Sequence, residues 1–414
     1  MSKLTKLVNN PKLFFKDAAL KKLGASPKND NSEPKPKPKP KPKPRALKNI
    51  ETSHVNFYQE ISLIIHSGEL LSAGANHIIP WIPVFIQADV KFVVLVRNET
   101  FFKWLTEEYP WMSIAYARRG VDVEEILSLL PDAKTIFYPS STGNNIHLVR
   151  FNHLHHVFIG HGDSDKASSA NKALRLYDEV WTAGQGHIDR FSNSDFDTAH
   201  IEFVKVGRPN LRNILLSSQK NWQQRSSNKI LYLPTWEGGV EEANYSSIFF
   251  SGQIIRQVQK QLDIPMMIKY HPLTGGRDSN LKNINKMTED IISRETLNAN
   301  VLDNGIEIST IIPNNNIFIC DISGVITECL AADAPIFVYI PVDKNIKVAN
   351  SNINYEEYCY TYSSVDELIE KMSGVIDGDD YLMEGRKKAI EYFIGYQETL
   401  DNKFIEKLRN IYSK

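Results

Sequence analysis

Short β-branched or aromatic runs alternate with helix-length segments along this chain, and the alternation occurs twice. The first series is ISLIIH (61–66), KFVVLVR (91–97), KTIFYP (134–139), HHVFIG (155–160), DEVWTA (178–183) and EFVKVG (202–207). Helices are expected between these runs at 76–87, 99–108, 122–130, 169–176 and 185–193. A polar break at 217–228 ends that half. The theme resumes with KILYLP (229–234), MMIKYH (266–271), IFICDI (317–322) and PIFVYI (335–340), with helices near 245–261, 305–312, 323–332 and 364–376. Strands separated by helix-length connections argue for parallel βαβ units. The expected fold is therefore α/β: two Rossmann-like lobes with a cleft between them. The first lobe should span 49–220 and the second 221–380, with helices at 381–414 packing back across both. A chain of 414 residues suits two domains of ordinary size.

Residues 1–48 read differently. They carry 14 lysines and arginines against 3 acids, a net of +11, while the remaining residues sum to −12. Residues 11–24 suit a short amphipathic helix, opened by Pro11 and closed by Gly24. The Pro–Lys alternation at 34–44 should form a stiff polyproline II spacer. A basic arm on an acidic body does not suit nucleic acid. It suits an anionic bilayer surface, where each lysine contributes about 1 kcal/mol. Three scattered cysteines make no disulfide framework or zinc site, and no apolar run is long enough to span a bilayer. The expected location is cytoplasmic, peripheral at the inner face of the cytoplasmic membrane.

Chemistry-bearing residues gather at strand exits. His161-Gly162-Asp163-Ser164-Asp165-Lys166 leaves the run HHVFIG; Tyr270-His271-Pro272 leaves MMIK; Pro234-Thr235-Trp236-Glu237 leaves KILYL. Asp321-Ile322-Ser323-Gly324 leads into a helix, where Ser323 is expected to N-cap and the free amides to hold a phosphate. Glu328, further along, could accept hydrogen bonds from ribose hydroxyls. A single histidine at a strand end is more often structural than catalytic. Several polar exits converging on one edge of an α/β sheet shift that balance. His161 suits proton removal from a hydroxyl, and Asp163, Asp165 and Lys166 suit an acceptor. The polar segments from Ser67-Gly68-Glu69 to Asn76-His77 and from Ser140 to Asn145 are also expected to face the acceptor, with no one residue singled out. Asp163-x-Asp165 resembles a metal pair by a spacing that often arises by chance, so no protein-held metal is expected.

The set HGDSDK (161–166), VGRPNL (206–211), ILYLPTWEG (230–238), KYHP (269–272) and DISGVITECL (321–330) resembles the CDP-glycerol glycerophosphotransferases of teichoic acid and capsule synthesis. The likeness runs in order over roughly residues 60–400. This chain departs from the pattern at Asp163-Ser164-Asp165, where the family has Thr and Pro, at Ser323-Gly324, where it has two serines, and at Glu328 and Asn210. The resemblance implies a GT-B architecture and transfer of glycerol phosphate from CDP-glycerol to a hydroxyl of a saccharide or lipid-linked saccharide, with release of CMP. It implies His161 as general base and His271 as the residue that binds pyrophosphate and assists CMP departure. Gly162, Thr235, Ser323, Gly324 and Glu328 would bind the donor. No tightly bound cofactor is implied, although Mg2+ can assist without a dedicated cage. With two lobes and an arm, a priming transfer is expected over a processive one. Two other readings stay open: an inverting GT-B glycosyltransferase using a nucleotide sugar, and a silent scaffold recruiting capsule enzymes.

Overall fold

The first lobe is built on strands β1 (Ile50–Ser53), β2 (Leu63–Ser67), β3 (Phe92–Val96), β4 (Ile114–Ala117), β5 (Thr135–Tyr138), β6 (His155–Phe158), β7 (Glu179–Thr182) and β8 (Glu202–Lys205). They form one sheet in the order β1-β4-β3-β2-β5-β6-β7-β8. Every pairing is parallel except β1 with β4. The inner strands are largely apolar on both faces, as a sheet covered by helices on both sides requires, while the edge strands β1 and β8 are polar and partly exposed. Leu63, Ile65, Val94, Phe137 and Trp181 pack into one core. Ile64, Val93, Leu95, Ile136 and Val180 pack into the other. The second lobe has β9 (Ile230–Leu233), β10 (Met266–Ile268), β11 (Ala299–Val301), β12 (Ile317–Asp321), β13 (Ile336–Tyr339) and β14 (Tyr360–Tyr362), all parallel in the order β11-β10-β9-β12-β13-β14.

This computed structural model describes residues 50–53, 60–162, 166–218, 221–225, 228–342, 346, 348, 350–396 and 402–413. The basic leader, the Pro–Lys spacer, Asp163 and Asp165 lie outside the described residues. Residues 47–414 cluster as one body. Its main helices are α1 (Leu71–Ile78), α2 (Glu99–Glu108), α3 (Gly120–Ser128), α4 (Gln185–Ser192), α5 (Ser251–Leu262), α6 (Ile284–Glu295), α7 (Val325–Leu330), α8 (Val365–Ile376), α9 (Met383–Ile394) and α10 (Lys403–Tyr412). Caps mark some starts plainly: the Asn98 side chain accepts from Phe101 N–H ahead of α2, and Ser364 from Glu367 N–H ahead of α8.

Helices α9 and α10 tie the lobes together. A Cβ on Gly184, which precedes α4, would stand 2.4 Å from the Tyr392 carbonyl of α9, so only glycine admits that approach. The Tyr392 hydroxyl donates to Asp189, which also accepts from Asn352 Nδ2 at 3.0 Å. α10 then returns to the first lobe, where fully buried Phe404 stacks on Trp81 at 4.9 Å and meets Trp181 edge-on at 4.9 Å.

The α/β, two-lobed GT-B expectation holds, with differences of detail. Strands β1, β4, β11 and β14 and helix α6 were not expected; the strands are short, alanine-containing or polar, whereas α6 does carry Ile284, Met287, Ile291 and Ile292 at helical spacing. The segment 76–87 is not one helix: α1 starts earlier, at Leu71, and a 3-10 turn containing Pro80 separates it from a second helix at Ile82–Gln87. Residues 169–176 form 3-10 turns rather than an α-helix.

Candidate active site

In each lobe the strand order reverses beside the earliest parallel strand, between β2 and β5 in the first and between β9 and β12 in the second. Crevices beyond the carboxyl ends of strands at such points are where open α/β sheets hold ligands. In the first lobe, β6 ends at Phe158 and the chain turns at Gly160, whose φ of +63° suits glycine. The turn sets His161 Nδ1 3.0 Å from the Pro139 carbonyl, beyond β5. A carbonyl can only accept, so Nδ1 carries the proton and Nε2 keeps its lone pair. The loop is held on both sides: Trp81 Nε1 donates to Gly160 O at 2.9 Å, and Arg208 Nη2 to His161 O at 2.7 Å. His77, in the last turn of α1, stacks on His161 with ring centres 3.5 Å apart and planes 15° apart. The His77 Nδ1 is in turn 2.7 Å from Glu69 Oε2.

Surrounding protein pushes the His161 pKa down to about 4, with His77 adding to the shift and Glu69 opposing it. The residue nevertheless keeps an exposed side. With its pKa held down, the imidazole is neutral at neutral pH. Burial raises the Glu69 pKa, but the hydrogen bond and charge of His77 outweigh it, so Glu69 ends below its ordinary value.

His271 presents the opposite face. It lies three residues past β10, in a loop rather than in the strand, and its Nδ1 accepts the Leu273 N–H at 3.1 Å. The ring proton therefore sits on Nε2. Burial, then Lys166 and Lys269, lower its pKa to about 4. Lys166 and His77, both from the first lobe, act on His271, so the two histidines share one cleft. Trp236 lies roughly parallel to the His271 ring at 6.3 Å. Glu237, buried, accepts from Gly275 N–H and Asp278 N–H at 3.0 Å, which braces the loop after His271.

The end of β12 organises the second lobe's side. Asp321 Oδ2 accepts from Thr235 N–H at 2.7 Å and Ser247 N–H at 3.0 Å. Its carboxyl is wholly buried, Oδ1 has no hydrogen-bond partner among the described residues, and burial raises the pKa to about 7 despite those bonds. Lys166, expected on the acceptor side, instead reaches the second lobe: Nζ donates to Thr235 Oγ1 at 3.3 Å and lies 5.6 Å from the Tyr245 ring. The backbone explains this, since Lys166 forms an antiparallel bridge with Val348. Ser323 does not N-cap α7. Its hydroxyl donates to Asp321 O at 3.1 Å, and Gly324 holds the cap position of a six-residue helix. The hydroxyl is thus taken up at the end of β12 and does not accept from the first amides of the helix. Glu328 is held above the usual carboxylate range by burial, opposed by Arg208 from the first lobe. Gly162 has room: an added Cβ would meet only Arg208 Nη2, at 3.8 Å.

Glu69, His77, Arg208, Glu237 and Asp321 were not among the expected site residues. Arg208, Glu237 and Asp321 stand inside the quoted motifs, where the neighbouring residues drew attention. Glu69 and His77 lie in the polar segment expected to face the acceptor, where nothing in the sequence singled them out. Among the described residues, no group of three or more His, Cys, Asp or Glu is placed to hold a metal, and no helix is long and apolar enough to cross a membrane.

Two parallel-sheet lobes facing each other across a cleft with a histidine from each define a GT-B-type transferase. The pattern of the CDP-glycerol:poly(glycerophosphate) glycerophosphotransferase family matches residues 156–405, more than half of the chain. The chain belongs to that family, and it is an enzyme of that class. Solved structures share the fold at low identity. A glycosyltransferase from Rickettsia africae matches with a TM-score of 0.51 at 14% identity, over 86% of this chain and 98% of its own. The wall teichoic acid polymerase TagF matches with a TM-score of 0.53 at 12% identity, over 86% and 91%. A UDP-GlcNAc 2-epimerase from Methanocaldococcus jannaschii matches with a TM-score of 0.50 at 10% identity, over 80% and 98%. No curated protein matches the chain in sequence.

Proposed function

We propose that this enzyme transfers glycerol phosphate from CDP-glycerol to a hydroxyl of a saccharide, lipid-linked in the cell, during teichoic-acid-like or capsule polymer synthesis. The observation that carries the mechanism is the opposed tautomers of the two cleft histidines. His161 offers a lone pair at Nε2, and His271 offers a proton at Nε2. The acceptor hydroxyl gives its proton to His161 as its oxygen bonds the phosphorus nearest glycerol. The bond from that phosphorus to the bridging oxygen breaks, and CMP leaves with the electron pair. His271 Nε2–H hydrogen-bonds the leaving phosphate, where negative charge grows. A base of this kind contributes about 10²–10⁴-fold.

Thr235, Ser323, Gly324 and the following amides would hold the donor's phosphates, with Glu328 on the ribose and Gly162 allowing close approach. Lys166, set against Thr235, adds a positive charge on this donor side. Asp163 and Asp165 remain candidates for the acceptor. Mg2+ can assist by shielding the pyrophosphate. The basic arm would bring the enzyme to anionic lipid at the inner membrane face, and the transfer would prime a polymer rather than extend it.

The test is CMP release from CDP-glycerol with membrane-extracted lipid-linked saccharide as acceptor. Loss of release in His161→Ala and in His271→Ala is expected. Release of a nucleoside diphosphate from a sugar donor, with none of CMP from CDP-glycerol, would instead make the enzyme a glycosyltransferase. Full complementation by both alanine variants would make it a scaffold. Long product from a short acceptor would remove the priming role, and unchanged membrane association after deletion of residues 1–45 would remove the arm's.

A further inference from the structure

We propose that Glu69 and His77 are positioning residues for His161, fixing the plane of the base and offsetting the charge it gains when it takes the acceptor's proton. The inference rests on His161 being the base. A single hydrogen bond to Pro139 O leaves an imidazole free to rock about the N–O axis, which would swing Nε2 away from an incoming hydroxyl. A second ring in van der Waals contact, nearly parallel and 3.5 Å away, removes that freedom. His77 is itself fixed, because Glu69 Oε2 holds its Nδ1 at 2.7 Å.

Glu69 sits in a braced turn at the point where the first lobe's strand order reverses. Its N–H donates to Ser67 Oγ at 3.3 Å, and Asn144 Nδ2 donates to Gly68 O at 2.8 Å. A Cβ on Gly68 would lie 2.4 Å from the Asn144 Cβ, so the turn and the loop after β5 interlock. The arrangement runs carboxylate, imidazole, imidazole. The charged groups acting on His161 are His77 and Glu69 on one side and Arg208, from beyond β8, on the other. Arg208 and any charge on His77 disfavour the imidazolium; Glu69 favours it. Without Glu69, the described charges around the base would be positive alone.

Two substitutions separate this role from packing. Glu69→Gln keeps size and an acceptor oxygen but removes the charge. His77→Phe keeps a stacked ring and leaves Glu69 charged and released from its partner. The readouts on the full chain are the NMR titration midpoint of the His161 ring and the rate of CMP release from CDP-glycerol with the acceptor extract. Glu69→Gln should lower the midpoint and His77→Phe should raise it, each by about half a pH unit or more. kcat should fall about 10- to 100-fold in Glu69→Gln while KM for CDP-glycerol stays unchanged. If His161 titrates as in the wild type in Glu69→Gln, the inference is overturned, whatever happens to the rate. If His77→Phe does not fold, Glu69→Gln decides alone. Failure of the base itself has a separate signature: His161→Ala would release CMP at the wild-type rate.

Discussion

Asp321 carries a cost that Asp321→Asn should reveal. Burial raises this carboxyl from an ordinary value of 3.8 to about 7, although two backbone amides donate to Oδ2. The unfolded chain loses the proton near pH 4 and the folded chain near pH 7. Between those values the folded state holds more protons, so stability falls as pH rises through the window and stays lower above it. At about 1.4 kcal/mol per pH unit, the two units from pH 5 to 7 amount to about 3 kcal/mol. Asparagine keeps an oxygen for the Thr235 and Ser247 amides and does not titrate. Its NH2 takes the place of Oδ1, which has no partner among the described residues, and an unsatisfied amide there costs about 1–3 kcal/mol. The absolute effect at one pH therefore mixes two terms, whereas the change with pH isolates the carboxylate. Urea unfolding at pH 5 and pH 8 should show the variant gaining about 3 kcal/mol on the wild type between them. Parallel pH curves for the two proteins would refute the reasoning.

Three further outcomes follow from the same contacts. Phe404→Ala should destabilise the protein by about 3–5 kcal/mol in denaturant titrations. It should also lower kcat, because Phe404 stacks on the Trp81 that holds Gly160 O. Lys166→Met keeps the stem but removes the charge beside Thr235 and His271, so KM for CDP-glycerol should rise about tenfold; an unchanged KM would put Lys166 outside the donor site. In the pH profile of kcat/KM, activity requires neutral His161 and falls as pH drops through its pKa. With that value pushed down to about 4, activity should persist well below pH 6; a half-loss near 6.5 would show the ring to be unshifted.

What the sequence makes legible is the alternation that sets the sheets, because buried parallel strands are nearly continuous apolar runs. Phe92–Val96 and Ile317–Asp321 are of that kind. The Ala299–Val301 strand is not: it is a half-exposed edge with one polar residue of three, stabilised by its pairing to β10 rather than by its own pattern. The site divides in the same way. His161, His271 and Ser323 were visible because a polar residue stands directly after an apolar run. His77 was not, because it meets His161 across 84 positions of chain, through the packing of α1 against the exit of β6. Lys166 was visible as a residue but its direction was not, since the Val348 bridge that turns it toward the second lobe is a tertiary contact.

The tautomers of the two cleft histidines are set by main-chain groups, a carbonyl for His161 and an amide for His271, and neither group titrates. Each ring therefore keeps its acid or base face over the whole range in which it is neutral. A carboxylate in the same place would stabilise a cation and make His161 a stronger base, but one already protonated over more of the pH range. The fold instead places its carboxylate, Glu69, one ring further away, where it can temper the charge on His161 without setting the tautomer. The acceptor-side and donor-side groups are also mechanically linked. Lys166 reaches from the first lobe to Thr235, and Arg208 holds the His161 carbonyl while its charge acts on Glu328 of the second. A donor seated against Thr235 and Glu328 would meet both cations, Lys166 beside His271 and Arg208 beside His161.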